Sequence, residues 1–191
     1  MALVDRVKSI LLTPKTEWEV IDAEPTTVAD LYKGYVIPLA AIGPVASAIG
    51  ALAFGYRGFG MVYRPPVGTV LSSAVVTYLL TLGGVFVLAL IIDALAPSFG
   101  GTQNQVQALK VSAYSSTASW VAGIFGLIPA LSMLGVLGLY SLYLLYLGLP
   151  VLMKAPPEKA MGYTAVVIIA AIVLFLVVGL VAGTFMTGAL G

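Results

Sequence analysis

Four long stretches of the chain carry no charged side chain: residues 34–56 (23 residues), 65–92 (28), 111–153 (43) and 160–191 (32). A helix crosses the hydrocarbon core of a bilayer with about 20 apolar residues. The first, second and last stretches each predict one span. The longest predicts two, divided at Gly126-Leu127-Ile128-Pro129, because Pro129 can open a helix but cannot continue one. The pattern predicts an all-α integral membrane protein with five transmembrane helices in one domain over 34–191. The spans fall at about 34–56, 66–92, 106–127, 129–153 and 161–187.

Residues 1–33 follow a different pattern and read as a cytoplasmic segment. Leu3, Val7, Ile10 and Leu11 recur at helical spacing, with Asp5, Arg6 and Lys8 elsewhere on the wheel. Such an amphipathic helix lies in the membrane interface or packs on the protein's own cytoplasmic face, and the periodicity is the same in both cases. Thr13-Pro14 ends it and caps a second short helix carrying Trp18 and Ile21 on one side. Pro25 interrupts the chain, and Thr27 to Asp30 has capping-box spacing, so the first helix of the bundle starts there. The opening residues have no long apolar run before a small-residue cleavage site, which distinguishes them from a signal peptide.

Composition narrows the class. Apolar residues make up 60% of the chain and charged residues 9%, against roughly 25% charged in an ordinary soluble domain. The 9 Lys or Arg and 8 Asp or Glu are also unevenly placed, with ten of them in the first 33 residues. With five spans and the N-terminus inside, Arg6, Lys8, Lys15, Lys33, Lys110, Lys154 and Lys159 are cytoplasmic. Only Arg57 and Arg64 are outside, beside the interface-suited rings of Tyr56, Phe59 and Tyr63. This satisfies the positive-inside rule and predicts a multi-pass protein of the cell (inner) membrane, N-terminus cytoplasmic and C-terminus outside.

Several chemistries are excluded. The net charge of +1 gives no polyanion-binding signature, so nucleic acid is not an expected partner. The chain has no His and no Cys, which removes Ser-His and Cys-His dyads, imidazole and thiolate metal sites, and disulfides. No phosphate-cradling GxxxxGK[ST] or GxGxxG motif occurs. The uncharged stretches hold no acid for an aspartyl dyad or an ion-coupled antiporter. No catalytic residue, metal or cofactor is expected.

A few polar residues remain as candidates. Asp93 is the only acid between Asp30 and Glu158, at the predicted cytoplasmic end of the second span. Lys110, across the loop 97–105, is its natural partner; the two form a site or simply mark the water interface. The third span carries Ser112, Tyr114, Ser115, Ser116, Thr117, Ser119 and Trp120, and the fourth sets Tyr140, Tyr143 and Tyr146 at threefold spacing. These line a polar cavity, or their hydroxyls bond to backbone carbonyls and neighbours. Pro38 and Pro44 invite kinks in the first span. Gly43, Ser47 and Gly50, and Gly179 with Gly183, form small-residue strips for helix packing within one chain or in a homodimer.

Pro14, Trp18, Ile21 and Glu24 resemble the P-x-x-x-W-x-x-I-x-x-E opening of prokaryotic members of the Yip membrane family, named for interaction with Ypt/Rab GTPases. The resemblance continues through Tyr35-Val36-Ile37-Pro38-Leu39, Phe99-Gly100-Gly101, Ala108-Leu109-Lys110-Val111-Ser112-Ala113-Tyr114-Ser115 and the Ile128-Pro129 break. It extends to Tyr140-Ser141-Leu142-Tyr143-Leu144-Leu145-Tyr146-Leu147-Gly148-Leu149 and Lys159-Ala160. It implies a five-helix membrane protein with a cytoplasmic N-terminus. Eukaryotic relatives work in Golgi and endoplasmic-reticulum trafficking, bind small GTPases and oligomerise. They carry a D-L-Y-G-P motif, of which Asp30-Leu31-Tyr32 is present here, followed by Lys33-Gly34. That departure, with the short N-terminal region, points to the prokaryotic branch.

Two functional readings follow. The first is a non-enzymatic scaffold or adaptor, acting on lipids or on a membrane or cytoplasmic protein through the N-terminal helices (Leu3, Val7, Ile10, Leu11, Trp18 and Ile21) and the loop near Phe99. The alternative is a small-solute channel or transporter, with a polar cavity between spans one, three and four.

Overall fold

The computed structural model describes residues 2–58 and 61–187. Two short helices, α1 (Leu3–Leu12) and α2 (Pro14–Ala23), lead into α3 (Val28–Phe54). The turn between them is made at Thr13, and α3 opens with the expected cap. Thr27 Oγ1 accepts the Asp30 backbone N–H at 3.1 Å and donates to the Asp30 carboxylate at 2.6 Å. The α3 ladder widens into a π-turn over Tyr32–Val36, just ahead of Pro38, which has no N–H to donate. A short antiparallel hairpin, β1 (Tyr56–Gly58) and β2 (Met61–Tyr63), follows in the register Tyr56↔Tyr63 and Arg57↔Val62. The predicted aromatic Phe59 lies outside the described residues.

Helix α4 (Val67–Leu95) continues as a 3₁₀ turn to Phe99 and stops at Gly100, whose φ of 72° is left-handed. Asn104 then caps α5 (Gln105–Ser115), its Oδ1 accepting the N–H groups of Val106 and Gln107 at 3.1 Å. Helix α6 (Thr117–Ala122), 3₁₀ runs over Gly123–Leu127 and Pro129–Leu139, α7 (Tyr140–Leu152) and α8 (Pro157–Thr187) complete the chain.

The prediction of five spans is corrected to four. Among the described residues, Val28–Phe54, Val67–Phe99, Pro129–Leu152 and Pro157–Val181 are long and apolar enough to cross a membrane. The segment 106–127 is not. It breaks at Ser116 between α5 and α6 and again after Ala122, where the 3₁₀ run begins. The expectation rested on absence of charge, which is a weaker property than apolarity. Ser112, Ser115, Ser116, Thr117 and Ser119 are uncharged, yet they lower the hydropathy of the segment; Ser115, Ser116 and Thr117 donate to carbonyls of their own segment, Ser112 to the Val85 carbonyl and Ser119 to the Gly138 carbonyl. The segment tolerates them because Ala108 to Ser115, Thr117, Ala118, Trp120 and Ala122 are buried inside the bundle. The placement of the two termini on opposite sides depended on five spans and falls with that count.

Helix α5 is the hub, packed between α4 and α7, while α8 lies along α4. The densest core gathers where α1 and α2 dock, with Ile10, Trp18, Val36, Ile92, Val111, Leu144, Leu149 and Tyr163 fully buried. Apolar side chains point outward on the spans: Leu71, Val75 and Leu79 on α4, Ile169, Phe175 and Leu180 on α8. Exposed apolar stripes of this kind suit lipid as solvent. The first small-residue strip packs inside the chain. A Cβ on Gly50 would sit 2.3 Å from the Gly126 carbonyl oxygen, and one on Gly123 2.7 Å from Gly43 Cα. A Cβ on Gly179 or Gly183 would meet nothing within 4 Å.

Candidate functional site

The side chains that hold α1 and α2 to the bundle form one charged and aromatic cluster. On α1, Arg6 lies three residues after Leu3 and four before Ile10, so the turn that buries Ile10 also buries Arg6. Arg6 is 4% exposed. It bonds the carboxylates of Glu17 and Glu24 and stands 5.7 Å above the Tyr114 ring. Glu17 is equally buried, and Glu24 is partly open to solvent. Burial of the Arg6–Glu17 pair is tolerable only because each charge meets its partner.

Trp18 occupies the middle of the cluster and is fully buried. It stands edge-on to Tyr114 with centroids 6.3 Å apart, and Tyr114 in turn tilts against Tyr35 at 4.5 Å. Tyr35 and Thr117 share a hydrogen bond of 2.7 Å, joining α3 to α6. The indole lies flat over Gly148 on α7, where any Cβ would come within 2.6 Å of Trp18 Cζ2. Trp18 Nε1 is buried without a hydrogen-bond partner among the described residues, so packing anchors the indole.

Lys110 donates from Nζ to the carbonyl oxygens of Ile21 and Glu24, each at 2.7 Å. These carbonyls belong to the last turn and cap of α2, where a cation complements the helix dipole. Burial pushes the Lys110 ammonium below its ordinary pKa, against the opposing pull of Asp22 and Glu24 and with a further lowering from Arg6. Gln107 Nε2 donates to Asp22 through both its backbone oxygen and Oδ1, and Lys154 pairs with the other Asp22 oxygen. A cavity of about 140 Å³ opens between Arg6, Glu24, Asp30, Tyr35 and Tyr114.

The structure brings some expected residues together and separates others. Lys110, Tyr114, Trp18 and Ile21 meet in the cluster, whereas Asp93 does not reach Lys110. Asp93 lies at the end of α4, with Oδ1 buried and without a hydrogen-bond partner among the described residues. Nearby, Tyr163 donates to the Ile92 carbonyl at 2.5 Å and stacks on Phe99. Ser115 is buried and donates to the Ser112 carbonyl at 3.3 Å. Trp120 is buried against a second cavity between the helices. Tyr140 and Tyr143 lie side by side at 5.4 Å, partly exposed, and the Tyr140 hydroxyl reaches the Leu11 carbonyl at 3.2 Å. Leu3, Val7 and Leu11 are partly buried on the bundle, beside fully buried Ile10. The first helix therefore packs on the protein's own face, and its outward apolar residues are Val4 and Leu12.

Arg6, Glu17, Glu24 and Gly148 were not among the expected site residues, Glu24 and Gly148 entering only through the family resemblance. The available signal was the register of Arg6 with Leu3 and Ile10, which marks it as facing inward. No group of His, Cys, Asp or Glu able to hold a metal ion occurs among the described residues.

With this geometry in place, the comparisons are informative. The family model described as the Yip1 domain matches residues 8–180, a range that begins in α1 and ends in α8. The chain belongs to the Yip1 domain family. No curated protein and no solved structure matches it.

Proposed function

We propose that this Yip1-domain membrane protein is a non-enzymatic scaffold whose working surface is the outer side of α1 and α2. One observation carries the reading. Buried polar contacts that cost free energy unless fully paired hold this end together: Arg6–Glu17 ties α1 to α2, Lys110 ties α2 to α5, and Arg6 stacks over Tyr114 of α5. The outward sides of α1 and α2 remain uncovered, with apolar Val4, Leu12 and Val20 interleaved among Lys8, Lys15 and Glu19. A rigid face of mixed apolar and charged residues suits contact with lipid headgroups or a protein at the membrane surface. The positive-inside rule makes this face cytoplasmic, because Lys8, Lys15, Lys33, Lys154 and Lys159 gather at its end of the chain's spans.

A photo-crosslinking residue at Leu12 or Val20, in the full chain in native membranes, tests the proposal. Lipid or protein adducts are expected there and not from the same probe at Met133, which is 85% exposed and lies outside α1 and α2. Identical adducts at all three positions, or none at Leu12 and Val20, would sink it. A solute pathway gated by Asp93 and Lys110 is not proposed, since neither residue lines the cavity between the spans.

A further inference from the structure

That cavity carries a separate inference. It has a volume of about 780 Å³ and is lined by residues from all four candidate spans and from α6. Its size lies within the roughly 300–1,000 Å³ of small-molecule sites. Among the described residues, no charged side chain lines it. Much of the wall is Ala, Gly, Val and Leu, and on one side it is bounded by Ile172 and Phe175, which are 49% and 76% exposed. In a bilayer that side opens toward hydrocarbon.

Most polar groups on the wall are already satisfied. Thr81 donates to the Thr77 carbonyl, and Ser115 and Ser116 donate to the Ser112 carbonyl. Ser119 bonds Ser141 and the Gly138 carbonyl. Ser47, Ser73, Thr77 and Trp120 are left, their side-chain donors without a partner among the described residues, and of these Ser73 and Trp120 are the buried ones, each only 7% exposed. Both side chains line the cavity, so an acceptor placed in it can take a hydrogen bond from each. The indole can only donate, which requires an acceptor on the ligand. A charged headgroup would find no counter-charge at this depth.

We propose that the cavity binds a neutral membrane lipid, such as a diacylglycerol or long-chain alcohol. Its hydrocarbon body lies along Leu88, Leu145 and Phe175, and its ester or hydroxyl oxygens accept from Ser73 and Trp120. The site is independent of the α1–α2 face, and either proposal can fail without the other.

The full chain reconstituted in phosphatidylcholine vesicles supplies the test, read by quenching of tryptophan fluorescence. Trp18 is the only other tryptophan and is fully buried, so it contributes a constant background. Dibrominated diacylglycerol is expected to quench with a saturating phase at low mole fraction, whereas dibrominated phosphatidylcholine quenches in proportion to its amount. Ser73→Ala should raise the half-saturating fraction about three- to tenfold, the worth of one hydrogen bond. A Cβ at Gly84, on the wall, meets nothing within 4 Å, so Gly84→Leu fills the space without a backbone clash. It should abolish the saturating phase and leave the melting temperature unchanged. Proportional quenching by both lipids overturns the proposal, and so does a saturating phase that Gly84→Leu leaves intact.

Discussion

Glu17 and Gly148 are the residues whose replacement separates charge from shape in the docking of α2. Glu17→Gln keeps the side chain's size but leaves Arg6 buried with only the half-exposed Glu24, whose contribution solvent reduces. Breaking a buried pair on one side costs about 3–5 kcal/mol. Arg6→Met with Glu17→Leu removes both charges and should recover most of that loss in thermal unfolding of the detergent-solubilised protein. A double variant no more stable than Glu17→Gln would refute the pairing argument. Gly148→Ala tests shape alone, since its Cβ would meet the Trp18 ring at 2.6 Å. Overpacking of this kind costs about 1–3 kcal/mol. The expected readout is faster proteolysis between α2 and α3, with Trp18→Leu in the same chain restoring resistance by making room.

At the scale of elements, the first, second and last spans were legible because a long uncharged run that is also apolar has few alternatives to crossing a membrane. The cap at Thr27 and the break at Pro129 were equally legible, being local. The interior pair α5–α6 was not, because a helix hidden from lipid tolerates hydroxyls that a lipid-facing helix avoids, and hiding depends on neighbours. Lys110 shows the same limit. Its sequence context suggested pairing with Asp93, but α2 presents two carbonyls whose need arises only when α2 ends there. Its pH dependence is a test. Burial holds the folded pKa of Lys110 below the unfolded value, so the unfolded chain binds more protons between the two. Stability contributed by Lys110 therefore rises with pH through that window. The difference in melting temperature between the natural chain and Lys110→Met should grow in favour of the natural chain as pH rises toward the ordinary lysine value. A flat difference would mean that the ammonium is not desolvated.

For the whole molecule, orientation rests on which charges the fold gathers at one end. The α1–α2 end gathers its cations through specific contacts, Lys110 on the α2 carbonyls and Lys154 on Asp22, while Arg64 lies beyond the hairpin that follows α3. Moving lysines across a membrane is opposed during insertion, so the proposed scaffold face is expected on the cytoplasmic side. The chain contains no Cys, which gives a silent background for single-cysteine labelling. Lys15→Cys and Lys159→Cys, both at exposed positions, should react with a membrane-impermeant maleimide only in inside-out vesicles. Arg64→Cys, also exposed, should react only in right-side-out vesicles. The reverse pattern would place the α1–α2 face outside the cell and remove the scaffold proposal, because no cytoplasmic partner could reach it. Equal labelling of Lys15→Cys and Lys159→Cys matters as much as its direction: α2 and the start of α8 meet one face only if both report the same side.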